Sequence, residues 1–217
     1  MGYAVKELFY SLQGEGANTG RAAVFCRFSG CNLWSGREQD RAEADCDFCD
    51  TDFVGTDGDG GAKFLGPEQL ADAVENLWPI PGREGEALRF VILTGGEPGL
   101  QVDQALVDAL RKRRFEIAIE TNGTLELPRG IHWVTVSPKG ANAYQALKVC
   151  EGDELKLVYP QAGQDPAAFV DLPFDHLYIQ PKDGEDAQQN TTLAVDYCRL
   201  HPKWRLSLQT HKFLGIR

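Results

Sequence analysis

Cys46 and Cys49 form a C-x-x-C pair, and Cys31 precedes them across residues 32–45. Three of the chain's 6 cysteines thus crowd into one stretch, while Cys26, Cys150 and Cys198 are scattered. Thiols so arranged suit a metal or a redox couple better than a disulfide scaffold, which belongs to small secreted chains. A structural zinc closes its shell with four protein ligands, and His132, His176, His201 and His211 are all remote in sequence. A thioredoxin-like pair leaves Cys31 unexplained. Three cysteines on a four-iron cluster would leave one iron open to a small molecule. The spacing alone leaves the iron–sulfur, zinc and redox readings open. Cys26, in AVFCRF, and Cys198, in an apolar helical pattern, read as small buried hydrophobes, and Cys150 is ambiguous.

The elements that must position these thiols read as follows. Residues 5 to 28 hold two extended runs, VKELFYSL and RAAVFCRF, joined by the turn-rich QGEGANTG. This predicts a hairpin over about residues 5–28 with Gln13 and Glu15 on its loop. From 31 to 61 the pattern is broken by Gly, Asp and charged residues, too long a gap for a bland connection, and a ligand-bearing loop fits it. Beyond it, helical patterns in PEQLADAVENLW, VDQALVDALRKR and TLAVDYCRL alternate with strand patterns in LRFVILT, FEIAIET, HWVTVSP, ELKLVY, HLYIQ and WRLSLQ. The fold class is α/β, with about six core strands and three helices. Helices are too few for an eight-unit barrel of about 250 residues. We expect one domain over residues 1–217, a partial, open α/β barrel with its site at the carboxyl ends of the strands.

Composition excludes other functions. Asp and Glu outnumber Lys and Arg by 32 to 22 in 217 residues, a formal net charge of -10. Such a field repels phosphate backbones and anionic membranes, so neither nucleic acid nor membrane is an expected partner. The start lacks a basic segment followed by an apolar run, and no stretch approaches the ~20 apolar residues of a membrane span. A cytoplasmic location is expected.

A second motif bears on the cysteines. Thr94-Gly95-Gly96-Glu97-Pro98, closing the strand LRFVILT, resembles the GGEP segment of radical S-adenosylmethionine (SAM) enzymes, where glycine backbone lies against the methionine amino group because no β-carbon intervenes. The usual cysteine spacing there is C-x3-C-x2-C, and this chain departs from it by a longer first interval. That interval, with ELFYSLQGEG at 7–16, GRAAVFCRFSGCN at 20–32, CDT at 49–51 and ETNG at 120–123, resembles the 7-carboxy-7-deazaguanine synthase family. The resemblance runs from about residue 5 to the carboxyl end and is densest before residue 140.

The resemblance implies an incomplete TIM-like barrel of the radical SAM type, with Cys31, Cys46 and Cys49 on a 4Fe-4S cluster. It implies a lyase that converts 6-carboxy-5,6,7,8-tetrahydropterin to 7-carboxy-7-deazaguanine, with ring contraction and loss of ammonia, in 7-deazapurine and queuosine biosynthesis. SAM then serves as cofactor to a hydrogen abstraction at C6 of the pterin. Phe48, Cys49 and Asp50 would flank SAM, Gly96 its methionine end, and Ser137, Pro138, Lys139, Gln180, Pro181, Lys182 and Asp183 its adenosine. The substrate would meet Leu12, Gln13, Gly14, Arg27, Thr94, His211 and Arg217. Arg27 alternates with Cys26 and Phe28, so its fork points away from them and suits a carboxylate. Glu15 and Glu120 could accept hydrogen bonds from the substrate's amino groups.

For Mg2+, residue chemistry nominates Asp50 and Asp52, whereas the resemblance implies Thr51. It also implies a homodimer and an electron donor such as a flavodoxin. Alternatives are a radical SAM enzyme that activates a glycyl-radical partner, or a non-enzymatic zinc or iron–sulfur binding module.

Overall fold

Runs of β-branched and aromatic residues that alternate two faces fold as strands, and amphipathic runs between them fold back over one side. In the computed structural model, which describes residues 2–80 and 88–217, the chain begins β1 (Tyr3–Leu12), β2 (Ala22–Phe28), β3 (Ala62–Phe64), α1 (Pro67–Leu77), β4 (Phe90–Gly95) and α2 (Gln104–Lys112). It continues β5 (Glu116–Thr121), β6 (Trp133–Val136), α3 (Ala143–Ala146), β7 (Gly152–Tyr159), β8 (Phe174–Pro181), α4 (Ala187–Leu200), β9 (Arg205–Leu206) and α5 (Thr210–Leu214).

Among the described residues the strands make one 9-stranded sheet in the order β3-β1-β2-β4-β5-β6-β7-β8-β9. β1 runs antiparallel to β2 and β3, and every other pair is parallel. The sheet ends on β3 and β9 without closing, an incomplete barrel. β1 and β2 form a hairpin whose neck is sealed by Gln13 N–H to the Arg21 carbonyl (2.8 Å) and Gly20 N–H to the Gln13 carbonyl (2.7 Å).

The sequence underestimates the element count, and length explains why. β3 has 3 residues, and α3 and α5 have 4 and 5, too short to show a period. The run WRLSLQ keeps only Arg205–Leu206 as strand, because the chain then turns into α5. The stretch 31–61 carries no strand, and within it Glu38–Glu43 winds as a 3-10 turn.

The two faces of the strands have different fates. Outward residues Val24, Cys26, Phe28, Val91, Leu93, Ile117 and Ile119 pack with Leu70, Val74, Leu106 and Leu110 of α1 and α2. Leu155, Leu157, Leu177 and Ile179 pack with Ala194 of α4 and with Trp204. Cys26 is fully buried here, whereas Cys150 is exposed. Asp103 caps α2 by accepting the Leu106 N–H (3.0 Å) and also receives the Tyr3 hydroxyl (2.6 Å), tying helix to hairpin. The inward face is apolar only at one end, where Phe9, Phe25, Phe90, Ile92 and Ala118 form a plug.

Leu106 is fully buried between helix and sheet. Leu106→Ala should cost about 2–5 kcal/mol, read as a lower denaturation midpoint with an unchanged slope; a loss well below 1 kcal/mol would show that this helix is not packed as described.

Candidate active site

Along each parallel strand the inward residues change from apolar to polar toward the carboxyl end. On β2 Phe25 gives way to Arg27, on β4 Ile92 to Thr94, and on β5 Ala118 to Glu120. Thr135 and Ser137 follow on β6 and just after it, Lys156 on β7 and Gln180 on β8. Because parallel strands keep these positions side by side, they line one cavity of about 430 Å³.

One end of the cavity carries the thiols. Cys31, Cys46 and Cys49 all line it, as do Phe48, Asp50, Thr51, Gly95 and Gly96. Gly96 has a reason to be glycine before any ligand is considered: a Cβ there would collide with the Gly30 carbonyl oxygen. The turn is pinned by Gly96 N–H to the Phe28 carbonyl (3.1 Å) and Glu97 N–H to the Gly30 carbonyl (2.9 Å). Glu97 itself is fully buried. Its Oε1 accepts the Gly99 N–H (2.8 Å) and the Thr121 hydroxyl (2.7 Å), and its Oε2 accepts the Asn122 N–H (2.7 Å). Burial pushes its carboxyl up, and these donors oppose the shift.

A hydrogen bond from the Cys46 thiol draws Cys49 down to about 6, while Cys46 itself is pushed up. No group of three or more His, Cys, Asp or Glu among the described residues surrounds a point that would hold a single metal ion. A four-iron cluster makes a different demand, since each thiolate takes its own iron and the three need not converge on one point. Three free cysteines on one cavity wall fit that demand.

The opposite end carries charge. Glu15 and Lys156 form a buried ion pair, and Glu15 also accepts from Gln209 Nε2 (2.9 Å). Burial alone would raise the Glu15 carboxyl. The Lys156 ammonium and hydrogen bonds from Lys156, Gln209 and Gln180 outweigh burial and hold it at about 2. For Lys156 burial pulls downward, and the carboxylates of Glu15, Glu120 and Glu154 hold it protonated. Glu120 accepts from Gln13 Nε2 (2.8 Å) and the Thr94 hydroxyl (3.0 Å). Gly14 lies against His211, whose imidazole a Cβ would strike, and its carbonyl accepts the Thr210 N–H (2.9 Å), so α5 docks on the hairpin loop. Arg27 Nε lies 2.8 Å from Glu7 Oε1 yet makes no hydrogen bond, leaving a buried donor unsatisfied.

Of the residues singled out from sequence, all but Pro138 line this cavity, Leu12, Pro181, Lys182, Asp183 and Arg217 included. Pro138 stands behind the wall, its carbonyl taking the Gln161 (3.4 Å) and Gln164 (3.3 Å) amides. Lys139 is half-buried, its Nζ on the Ser137 carbonyl (2.9 Å), and desolvation lowers its pKa. Asp50 and Asp52 are held by Lys212 (2.8 Å) and Lys6 (2.8 Å), whereas the Thr51 hydroxyl has no hydrogen-bond partner among the described residues. The sequence reading missed Lys156. Its signal was the alternation Glu154–Lys156–Val158 against Leu155 and Leu157, which looks the same whether the polar side faces solvent or a lumen.

Comparison with known proteins adds to this geometry. Residues 40–155 match the model of the radical SAM superfamily. The chain is 58% identical to a 7-carboxy-7-deazaguanine synthase of Burkholderia multivorans and 59% identical to one of Bordetella pertussis, covering 100% of both chains in each case. Its fold is similar to the crystal structure of QueE from Escherichia coli, with a TM-score of 0.63 and 26% identity over 96% of this chain and 94% of that one.

Two outcomes follow. Cys31→Ala, Cys46→Ala and Cys49→Ala should each lower the iron retained after anaerobic reconstitution and abolish SAM cleavage, whereas Cys26→Ala and Cys198→Ala should at most lower stability. A fully active Cys46→Ala protein would remove that residue from the cluster.

Lys156→Met should leave Glu15 buried without its cation, at a cost of about 3–5 kcal/mol near neutral pH. In the native chain the depressed Glu15 carboxyl stabilises the fold fully above its unfolded value of ~4.3, and this is lost as pH falls toward about 2. In the variant the carboxyl is raised, so it weakens the fold as pH rises. The Tm gap between the two proteins should therefore widen from low to neutral pH, and parallel Tm–pH curves would refute the pairing.

Proposed function

The chain belongs to the 7-carboxy-7-deazaguanine synthase family of the radical SAM superfamily, and from that membership we infer its reaction: conversion of 6-carboxy-5,6,7,8-tetrahydropterin to 7-carboxy-7-deazaguanine, with ring contraction and loss of ammonia. It is a radical SAM lyase of 7-deazapurine biosynthesis, using a 4Fe-4S cluster and SAM. Bound at the thiol end, these groups supply the abstraction of one hydrogen from the substrate.

The observation that carries the substrate reading is the Arg27 guanidinium on the cavity wall, whose Nε lies 2.8 Å from Glu7 Oε1 without hydrogen-bond geometry. A ligand carboxylate could take two of the guanidinium's N–H donors as a bidentate, charge-assisted pair. Glu15 and Glu120 each keep acceptor capacity beyond the donors they already receive. They suit the amino groups of a guanine-like edge. The loop Leu12-Gln13-Gly14, Thr94, His211 and Arg217 complete this end of the cavity. The activation of a glycyl-radical protein is less well supported, since the full-length relatives at 58% and 59% identity are 7-carboxy-7-deazaguanine synthases.

At the other end, Cys31, Cys46 and Cys49 would hold the cluster. Phe48, Cys49 and Asp50 would flank SAM, Gly96 its methionine end, and Ser137, Lys139 and Gln180–Asp183 its adenosine. Thr51, with its hydroxyl unengaged and both neighbouring carboxylates paired to lysines, would offer magnesium an oxygen while the substrate carboxylate offers another. Family membership also supports a homodimer and an electron donor such as a flavodoxin. No helix among the described residues is long and apolar enough to cross a membrane, and we propose a cytoplasmic location.

The test is to incubate anaerobically reduced protein with the pterin, SAM and magnesium, and to look for 7-carboxy-7-deazaguanine by mass and for deuterium passing from C6 into SAM. Arg27→Ala should bind SAM normally but lose about 2–5 kcal/mol of substrate interaction, and Arg27→Lys should recover part of it because the planar fork is missing. Wild-type protein that cleaves SAM yet forms no deazaguanine would overturn the reaction.

A further inference from the structure

We propose that Arg41, carried by the extended interval between the first and second cysteines, is a positioning residue that clamps the C-x-x-C turn. The proposal rests on the reading that Cys31, Cys46 and Cys49 hold the cluster. The run Cys46–Asp52 contributes no helix or strand, so its carbonyls must find partners elsewhere. Arg41 supplies them: its Nη1 donates to the Asp47 carbonyl (2.8 Å) and to the Cys49 carbonyl (3.2 Å).

The other edge and face of the same guanidinium are also fixed. Nε donates to both carboxylate oxygens of Glu38 (2.9 Å each), and Cζ sits 4.1 Å over the Trp34 ring. Trp34 is nearly buried and meets Phe53 edge-on at 5.5 Å between centroids. The interval therefore does more than bridge two cysteines. Trp34 roots it in the core beyond the cysteine pair, the 3-10 turn Glu38–Glu43 presents Arg41, and Arg41 grips the backbone on both sides of Phe48.

A lysine could not reproduce this. A single ammonium lacks the flat face that lies on Trp34 and the separated donors that reach Glu38 and two carbonyls at once.

The experiment compares wild type, Arg41→Met, Arg41→Lys and Glu38→Gln as full-length chains. In metal-free protein, iodoacetamide labelling of Cys46 and Cys49 should rise about tenfold in Arg41→Met, with Cys31 unchanged and Arg41→Lys only partly protected. After anaerobic reconstitution, Arg41→Met should lose iron faster to a chelator and give a broadened electron paramagnetic resonance signal that responds less to SAM. Wild-type labelling and spectra in Arg41→Met would overturn the proposal. Should Arg41→Met fail to fold, Glu38→Gln loosens the same fork from its exposed side, and labelling equal to wild type there would overturn it too. Wild-type protein that retains no iron would instead refute the cluster reading, while the labelling comparison still judges the clamp.

Discussion

Glu97 is the point on which the carboxyl edge of the sheet depends. A fully buried carboxylate with no ion-pair partner among the described residues must be held by dipoles, and it is: two backbone N–H groups and one hydroxyl meet its two oxygens. Those donors come from the turn after β4 and from the end of β5, so one side chain fixes the spacing of two neighbouring strand ends. The tie extends further. Asn122, held by Glu97 through its N–H, donates from its side chain to Asn32 (2.9 Å), the residue after Cys31. The first cysteine is thereby anchored to the sheet, whereas Cys46 and Cys49 sit on a turn braced from the side. The glutamate that looks like part of a ligand motif is a strut for the frame around it.

Charge at the other end obeys the same logic with opposite means. Lys156 faces three carboxylates, an arrangement in which removing any member leaves an imbalance that a low-dielectric site cannot screen. The chain's net charge of -10 says nothing about this interior, where Arg27 and Lys156 put cations among the carboxylates of the cavity wall. Overall charge bears on which macromolecules are repelled, and local placement on which small molecule is held.

Much of the fold was legible because it rests on long periodic runs. AVFCRF, FVILT and EIAIE alternate so regularly that Arg27 could be placed opposite Cys26 and Phe28 from sequence, and the structure sets it on the cavity wall while they enter the core. Lys156 was illegible for the same reason. Alternation reports that two faces differ, not whether the polar one meets water or a lumen, and only the curl of the sheet decides. Length hid other parts: a five-residue α5 leaves no period, yet it brings His211 against Gly14. The Glu97 network was hidden because hydrogen bonds between residues 32, 97 and 122 have no local signature. The lysine partners of Asp50 and Asp52 were hidden in a simpler way, since a carboxylate in sequence carries no sign of the cation that will pair with it.

The boundaries of the superfamily match divide the molecule in an instructive way. Residues 40–155 contain the second and third cysteines, the glycine turn at 95–96 and the Ser137–Lys139 segment. Outside that span lie the hairpin with Gln13, Glu15 and Arg27, the first cysteine, the cation Lys156, and α5 with His211. The generic portion thus supplies most of the thiol end, and the two flanks supply most of the charged end. They must reach it together, because the strands carrying them, β1–β2 and β7–β9, lie toward opposite edges of the sheet. Their meeting is physical as well as topological. Lys156 pairs with Glu15, Thr210 bonds Gly14, and Arg217 reaches Glu7 (2.6 Å) and Asp59 (2.5 Å) across the gap that a closed barrel would have filled with further strands. An open sheet leaves its first and last strands unpaired with each other, and here that opening is spanned by the side chains that define the charged end of the cavity.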